Sequence, residues 1–596
     1  MSEISTYVLA VLVGVALFGA VLALIRYFHT RRLRSAAGAI RQLAVRDLGK
    51  VESEEAEFKE AELARPSLYG IPYLAWIVTS LVIPAAFFLL FFANLVPPYG
   101  IPEVDSVAWH SYTAPISFQA QGRLVERHEI LIPQGTRVSE SQQALVEEAL
   151  RNRGRVNALQ ALGTVLLLAV FFFILLYHIN ILYPTSTEKN KNLILIYLTI
   201  LIVLASAKVS LFYGLFSPYL IPVPWAGMII TIFINRRVVP LIMLVTLIFV
   251  SIASDFDFSL FLVLLAGGLV SGSWVRQARK RSQVMAASIF VGAIMALVFF
   301  CYSMLVSPSV YLLHEDAIAS FINGIISGLL TLTVLPLFEM IFDLASPFRL
   351  MELLDLNTPP LKEFFFKAPG TYQHSMVVAN IAETVANEIG ANGLLVRVGA
   401  YYHDIGKMFN PDYFVENQAE GISPHDELGP VASAAMVRSH VILGVKLARH
   451  IGLPSAAIDF IPEHHGTSTI DYFYYKSKQL DSEIKSERVF KYPGPKPQSK
   501  ETAIVMLVDS VEAAFRVHEE RDEEKIRQLI NRVAQRKLEQ GELDRSGLKI
   551  GELKKITDTL THILKSSKHQ RIPYPTSVSL QDDDNIRQFS PQQKTR

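Results

Sequence analysis

The strongest constraint on this chain is a series of long apolar runs in its first 345 residues. They lie at Tyr7–Ile25, Leu74–Val96, and about 158–182, 193–213, 219–234, 238–254, 258–275, 284–306 and 320–342. A helix needs roughly 20 apolar residues to cross a bilayer, and the longer runs meet that length. Hydrophobic residues make up 51% of the sequence and charged residues only 19%, a balance too apolar for a water-soluble protein. The expected fold class is a polytopic α-helical membrane protein with a cytoplasmic all-α bundle in residues 346–596.

Loop charges set the expected topology. Arg26, Arg31, Arg32 and Arg34 follow the first run, whereas a signal peptide carries its charge before the apolar core. The first run therefore reads as an uncleaved anchor with its N-terminus outside. Lys189 and Lys191, then Arg236 and Arg237, then Arg276, Arg279, Lys280 and Arg281 fall in successive cytoplasmic loops. Asp255, Asp257, Glu315 and Asp316 fall in the outside loops, in keeping with the positive-inside rule. The runs at 219–234 and 238–254 are short and flanked by proline, so a re-entrant pair stays open. Lys208 lies inside a span, as a functional group or as a lysine snorkelling to the interface.

The expected organisation is an anchor at 1–28, a cytoplasmic linker at 29–73, a transmembrane helix at 74–96 and a small extracytoplasmic module at 97–156. A seven-span region at 157–345, a linker at 346–368, a helical domain at 369–573 and a disordered tail at 574–596 follow. In the module, Arg127–Val138 reads as extended, and Ser139 with Gln142 forms a capping box that opens a helix to about Arg153. In the linker, Phe348–Leu356 reads as a short amphipathic helix.

The net charge of +1 gives no electrostatic case for a nucleic-acid polymer. A single cysteine, Cys301, excludes a disulfide framework and a thiolate zinc site within one chain. Any metal site must use His, Asp and Glu, and the soluble domain supplies them. Its apolar stripes are Val377, Ile381, Val385 and Ile389; Leu443, Leu447 and Ile451; and Ile504, Val508, Val511 and Phe515. Polar residues interrupt this pattern: His374 before the first helix, His403 with Asp404, His440 opening a helix, His464 with His465, and Asp509.

Imidazole and carboxylate ligands suit Mn, Fe or Zn. Adjacent helix residues point about 100° apart, so a His–Asp pair can serve two ions, with the carboxylate as the bridge. Two such ions clamp a phosphate and lower the pKa of a water that attacks phosphorus. Lys407 follows three residues after Asp404, as a phosphate contact or as a surface lysine at a helix end. Between Gly466 and Lys500, Tyr472, Phe473, Tyr474 and Tyr475 interleave with Lys476, Lys478, Lys491 and Lys496. These could stack bases and hold phosphates, with Tyr472 and Lys496 as the substrate-binding candidates, or pack the loop onto the bundle.

Pro369–Gly370–Thr371–Tyr372–Gln373–His374–Ser375 and His403–Asp404–Ile405–Gly406–Lys407 resemble the HD phosphohydrolase superfamily. Glu416–Asn417–Gln418, Pro424–His425–Asp426, Glu463–His464–His465–Gly466–Thr467, Tyr492–Pro493–Gly494–Pro495–Lys496–Pro497 and Leu507–Val508–Asp509–Ser510–Val511–Glu512–Ala513 resemble the bacterial seven-transmembrane HD-domain family. That resemblance implies a cyclic-di-AMP phosphodiesterase of the cytoplasmic membrane that releases pApA, with its HD domain in the cytoplasm. It implies two divalent ions, Fe or Mn, on His374, His403, Asp404, His440, His464, His465 and Asp509. His403, Asp404 and Lys407 are the expected catalytic residues. A cyclic dinucleotide and membrane lipid are the expected partners, and a homodimer stays open. Rival readings are hydrolysis of cyclic-di-GMP or guanosine tetraphosphate, and a nucleotide-binding receptor without turnover. The chain departs from the family outside the membrane, where an extra span and about 60 residues replace a large extracytoplasmic domain.

Overall fold

The structure is a computed structural model. It describes residues 102–153 and 189–567, four positions between 166 and 177, and omits short stretches within these ranges, the longest at 307–313. The expected spans at 7–25 and 74–96, nearly all of the run at 158–182, and the tail lie outside the described residues.

The module before the membrane region is built on two antiparallel pairs. β1 (Tyr112–Thr113) pairs with β4 (Ile130–Ile132), and β2 (Phe118–Ala120) pairs with β3 (Arg123–Val125). The helix α1 spans Glu140–Arg153. Its capping box forms in both directions: Gln142 N–H donates to Ser139 Oγ at 3.3 Å, and Ser139 N–H donates to Gln142 Oε1 at 3.1 Å. Ile132, Val125, Val146 and Ala149 bury a small core between strands and helix.

The membrane region contains α2 (Lys189–Tyr213), α3 (Val223–Phe233), α4 (Val239–Ala253), α5 (Phe258–Val275), α6 (Arg281–Val306) and α7 (His314–Phe342). α2, α5, α6 and α7 are long and apolar enough to cross a membrane. α3 and α4 have 11 and 15 residues, or about 16 and 22 Å of helix, so each is shorter than a full crossing. Proline shortens this pair: Pro222 and Pro224 flank the start of α3, and Pro240 opens α4. Asn323 of α7 donates to the carbonyls of Tyr219 and Ile221 at 2.7 and 2.8 Å, so carbonyls of the broken backbone are satisfied inside the apolar interior. α6 and α7 meet where Gly292 and Gly324 face each other, and a side chain on either would strike the opposing backbone. Lys208 is half-buried on α2.

Two short helices follow, α8 (Pro347–Leu353) and α9 (Pro359–Lys367), in place of the single expected one at 348–356. The helices that follow are α10 (Pro369–Glu388), α11 (Gly393–Tyr402), α12 (Pro430–His450), α13 (Ser455–Ile458), α14 (Phe460–Glu463), α15 (Asp471–Leu480), α16 (Lys500–Val517), α17 (Glu523–Glu539) and α18 (Ile550–Ser567). α12 also passes the length and hydropathy test for a span. It carries His440, Arg438, Lys446 and Arg449, however, so its apolar face belongs to a helical bundle.

The chain divides into two compact units. Among the described residues, one holds those up to Lys367 together with Leu443–Ile458, and the other holds Ala368–Ile442 and those from Asp459 to Ser567. Polar anchors hold Leu443–Ile458 within the first unit: Arg349 donates to the Gly452 carbonyl at 3.1 Å, and Ser455 N–H donates to Asp343 Oδ1 at 3.1 Å. The second unit buries Val378, Val385, Val396, Phe460, Ile504 and Val508.

Candidate metal centre

Each candidate ligand sits where a local device fixes it. α10 begins five residues before His374, at Pro369, so His374 lies inside the helix and does not precede it. Proline at the first helical position is pre-organised for this start. Asn417 Oδ1 accepts from the N–H groups of Gly370 and Thr371, at 2.9 and 3.1 Å, and so caps the helix from a distant loop. Gly370 is required there because any side chain would strike the Glu416 carbonyl. The buried face of α10 is Thr371, His374, Val378, Ala382 and Val385, and Val377 of the expected stripe is exposed.

α11 ends at Tyr402, and a 3-10 turn runs from Ile405 to Phe409. His403 and Asp404 occupy the junction between the two. In a 3-10 turn, residues three apart eclipse, and Lys407 Nζ reaches Asp404 Oδ2 at 2.7 Å. His440 lies in the interior of α12 and does not open it, because the run from Pro430 is already helical. His464 caps α14, and Asp509 is buried on α16 among Val505, Leu507 and Val508.

These residues converge. Asp404 Oδ1 lies 3.4 Å from His440 Nε2 and 3.6 Å from His464 Nε2. Its Oδ2 lies 3.3 Å from His403 Nε2. Asp509 Oδ1 lies 2.9 Å from His374 Nε2 and 3.8 Å from His403 Nε2. Two ligand groups result, Asp404–His440–His464–His465 and His374–His403–Asp404, each with its ligand atoms within 4.8 Å of one another. Asp404 belongs to both groups.

The tautomers are set from behind. Nδ1 of His403 donates to the Ala400 carbonyl at 2.7 Å, Nδ1 of His440 to Val437 at 2.6 Å, and Nδ1 of His464 to Ile461 at 2.8 Å. With the proton on Nδ1, each Nε2 turns a lone pair toward Asp404. His403 Nε2, His440 Nε2, His464 Nε2 and Asp404 Oδ1 are buried with no hydrogen-bond partner. Buried polar atoms are normally satisfied, and four orphaned electron-pair donors gathered around the Asp404 carboxylate fit divalent cations. Metal–ligand bonds of about 2 Å place neighbouring ligand atoms roughly 3 Å apart, close to the spacings found.

Charge follows the same plan. Burial drives His440 down to about 4 and His464 to about 3, and it holds His465 well below the usual imidazole range. These three are therefore neutral at physiological pH. His374 differs: burial lowers it, but the carboxylates of Asp509 and Glu512 outweigh that and hold it at about 10. Burial alone would raise Asp404, yet Lys407, His403 and His440 keep its carboxyl well below the usual range. Lys407 also donates to Glu416 Oε1 at 2.9 Å, and both carboxylates hold it protonated against burial.

The two substrate candidates stand apart from this pattern. Lys496 donates to the Gly541 carbonyl at 2.8 Å and closes the end of α17, so its amine serves the backbone. Tyr472 is 68% exposed. Its neighbours pack the loop: Phe473 and Phe490 form a small core with Ala434. Three residues quoted above only within family motifs, with no role assigned, contact the ligands or their lysine. Glu512 Oε2 lies 2.8 Å from His374 Nδ1, Glu416 holds Lys407, and Tyr492 stacks on His465. Glu512 follows Asp509 by three residues on one helix face, a spacing visible in the sequence.

Two family models match the chain. One, described as a 7TM receptor with intracellular HD hydrolase, covers residues 158–346, and one described as an HD domain covers residues 371–514. The chain belongs to the seven-transmembrane HD hydrolase family. The cyclic-di-AMP phosphodiesterase PgpH of Listeria monocytogenes serotype 1/2a is 39% identical over 366 residues, 60% of this chain and 50% of that protein. PgpH of Bacillus subtilis is 34% identical over 436 residues, 70% of this chain and 60% of that protein. The chain thus spans 50% to 60% of the length of these two curated relatives. The crystal structure of the L. monocytogenes PgpH HD domain in complex with cyclic-di-AMP is 45% identical, covers 35% of this chain and 98% of that one, and has a TM-score of 0.35. Within the seven-transmembrane HD hydrolase frame, the HD match takes in all seven candidate ligands and stops before α17.

Proposed function

We propose that this chain is a membrane-bound, divalent-metal-dependent phosphodiesterase that opens cyclic-di-AMP to pApA on the cytoplasmic side of a bacterial membrane, with lipid around its spans. The observation that carries the reading is the set of four buried donor atoms without hydrogen-bond partners, on His403, Asp404, His440 and His464. The names of the PgpH relatives support the adenine dinucleotide as substrate.

Asp404, His440, His464 and His465 would hold one ion, and His374, His403, Asp404 and Asp509 the other, with Asp404 common to both sets. Imidazole and carboxylate ligands suit Fe or Mn. Ions held there would supply Lewis acidity to the phosphate and acidify the attacking water. The chain's own residues do the rest. Backbone carbonyls orient three imidazoles, Glu512 orients the fourth, and Lys407 balances Asp404 with its charge while Glu416 holds its amine in place. Lys407 is also the nearest fixed cation to that shared carboxylate, 2.7 Å from Asp404, and can take the developing charge on a phosphate oxygen. One water is consumed. Its oxygen bonds to phosphorus, the bond to a ribose 3′ oxygen breaks, and that oxygen takes up a proton, which opens the ring.

The test is incubation of the full chain, purified in detergent and loaded with Mn or Fe, with cyclic-di-AMP, cyclic-di-GMP and guanosine tetraphosphate. Release of pApA from the first substrate, lost to background in Asp404→Ala, is the expected result. Intact cyclic-di-AMP beside a hydrolysed guanine nucleotide would move the assignment to that substrate. Retained binding without turnover would make the chain a receptor.

A further inference from the structure

Four of the five clustered imidazoles are locked through Nδ1: His374 by Glu512, His403 by Ala400, His440 by Val437 and His464 by Ile461. Among the described residues, His465 has no such bond. Its ring instead lies on the ring of Tyr492, with centroids 4.0 Å apart and planes at 21°. Stacking fixes a ring plane but leaves it free to slide, so the backbone must set where the ring sits.

That backbone is held by a buried carboxylate. Glu542, only 1% exposed, accepts from Thr467 N–H at 3.0 Å and from Thr467 Oγ1. A buried carboxylate is costly unless hydrogen-bonded, and among the described residues both side-chain hydrogen bonds of Glu542 go to this turn. Gly466 bends there with φ +57, and a side chain on it would collide with Glu542. Lys537 adds a second tie, donating to Ser468 Oγ at 2.8 Å. Ser468 N–H donates to the His465 carbonyl at 3.2 Å, and the Ser468 carbonyl accepts from Tyr492 N–H at 3.0 Å. One turn therefore carries His465 and its stacking partner together. Lys537 and Glu542 lie beyond residue 514, outside the HD match.

We propose that Glu542 is a positioning residue for His465: by clamping the Thr467 turn, it sets the ring where Asp404, His440, His464 and His465 close on a metal ion. The inference rests on the metal centre proposed above. Glu542 touches neither ion nor substrate and acts through the backbone, as partners behind metal ligands do.

The test counts ions on the full chain in detergent. Wild type, Glu542→Ala, Glu542→Gln and the exposed control Glu539→Gln are loaded with Mn, desalted and analysed for metal per chain and by electron paramagnetic resonance. Wild type and the control should hold about two ions with the spectrum of a coupled pair. Glu542→Ala should hold about one ion, show the six-line signal of isolated Mn, and need at least about tenfold more Mn to refill. Glu542→Gln, which still offers an acceptor to Thr467 N–H, should restore the pair. Two ions at wild-type affinity in Glu542→Ala would overturn the inference while leaving the centre intact. Wild type without metal would overturn the centre and the inference with it. If Glu542→Ala loses its helical signal, Thr467→Ala carries the test, since it removes one of the two hydrogen bonds. Weaker binding of the second ion is then expected, and unchanged binding overturns the inference.

Discussion

At the scale of single residues, the centre contains two kinds of imidazole, and they make opposite predictions. His374 lies between Asp509 and Glu512 and keeps its proton to about pH 10. A metal ion on its Nε2 must displace that proton, so loading at pH 8 should release about one proton per chain from this residue. Titration calorimetry in two buffers of different ionisation enthalpy reads it, and His374→Ala should abolish the difference. His440 and His464 behave in reverse. Folded, burial holds them near 4 and 3; unfolded, they titrate near 6.5. Between those values the unfolded chain binds protons that the folded chain refuses, so stability is present above pH 6.5 and is lost as pH falls toward 4. Folded His374 stays protonated across that window and its unfolded form begins to lose its proton only near the upper end, so its own contribution is lost as pH rises through 6.5 toward about 10. Metal-free protein should therefore melt at lower temperature at pH 5 than at pH 6.5, by several degrees. A flat profile would place these imidazoles in water. The candidate ligands stood out in the sequence because histidine and aspartate interrupt apolar stripes. Their backing did not, because a backbone carbonyl such as that of Ala400 has no residue type to read.

At the scale of elements, the site depends on where helices start, and hydrophobic periodicity alone misplaces those starts. α10 and α12 begin at Pro369 and Pro430, before their apolar stripes, so His374 and His440 are helix-interior residues. The stripes understated both helices because small residues do the packing: Thr371, Ala379 and Ala382 on α10, and Ala434 on α12, are buried. Likewise, the Glu416–Asn417 motif was legible as a family match but not as a cap, since the partner helix start lies 46 residues away. The cap gives a graded test. Asn417→Ala removes the acceptor for two helix N–H groups and should cost about 1 kcal/mol. Gly370→Ala adds a carbon against the Glu416 carbonyl and should cost about 1–3 kcal/mol. Both should lower the unfolding midpoint and loosen metal at His374, while Tyr472→Ala, on an exposed ring, should leave both unchanged. Equal effects from all three substitutions would remove the special role assigned to this helix start.

At the scale of the whole molecule, apolar runs and loop charges made the membrane class legible, and four of the described helices in that region have the length to cross. The shortness of α3 and α4 was legible in their proline-flanked runs, but the bonds from Asn323 to the Tyr219 and Ile221 carbonyls before α3 were not, because they depend on which buried side chain meets the proline-broken backbone. Nor did the runs and charges reveal that the end of α12 groups with the membrane unit. Two compact units with one metal centre lead to a prediction about unfolding. Larger proteins with separate units need not melt in one step. An ion that binds only the folded state stabilises by RT ln(1 + [L]/Kd), about 2.7 kcal/mol at one hundred times Kd. All seven candidate ligands lie in the unit formed by Ala368–Ile442 and the described residues from Asp459 to Ser567. Chelation of the full chain in detergent should therefore lower one calorimetric transition by several degrees and leave the other in place. Asp404→Ala should reproduce the shift without chelator and make the protein insensitive to added Mn. A shift of both transitions by the same amount would mean that the units unfold as one, with the metal stabilising the membrane region as well.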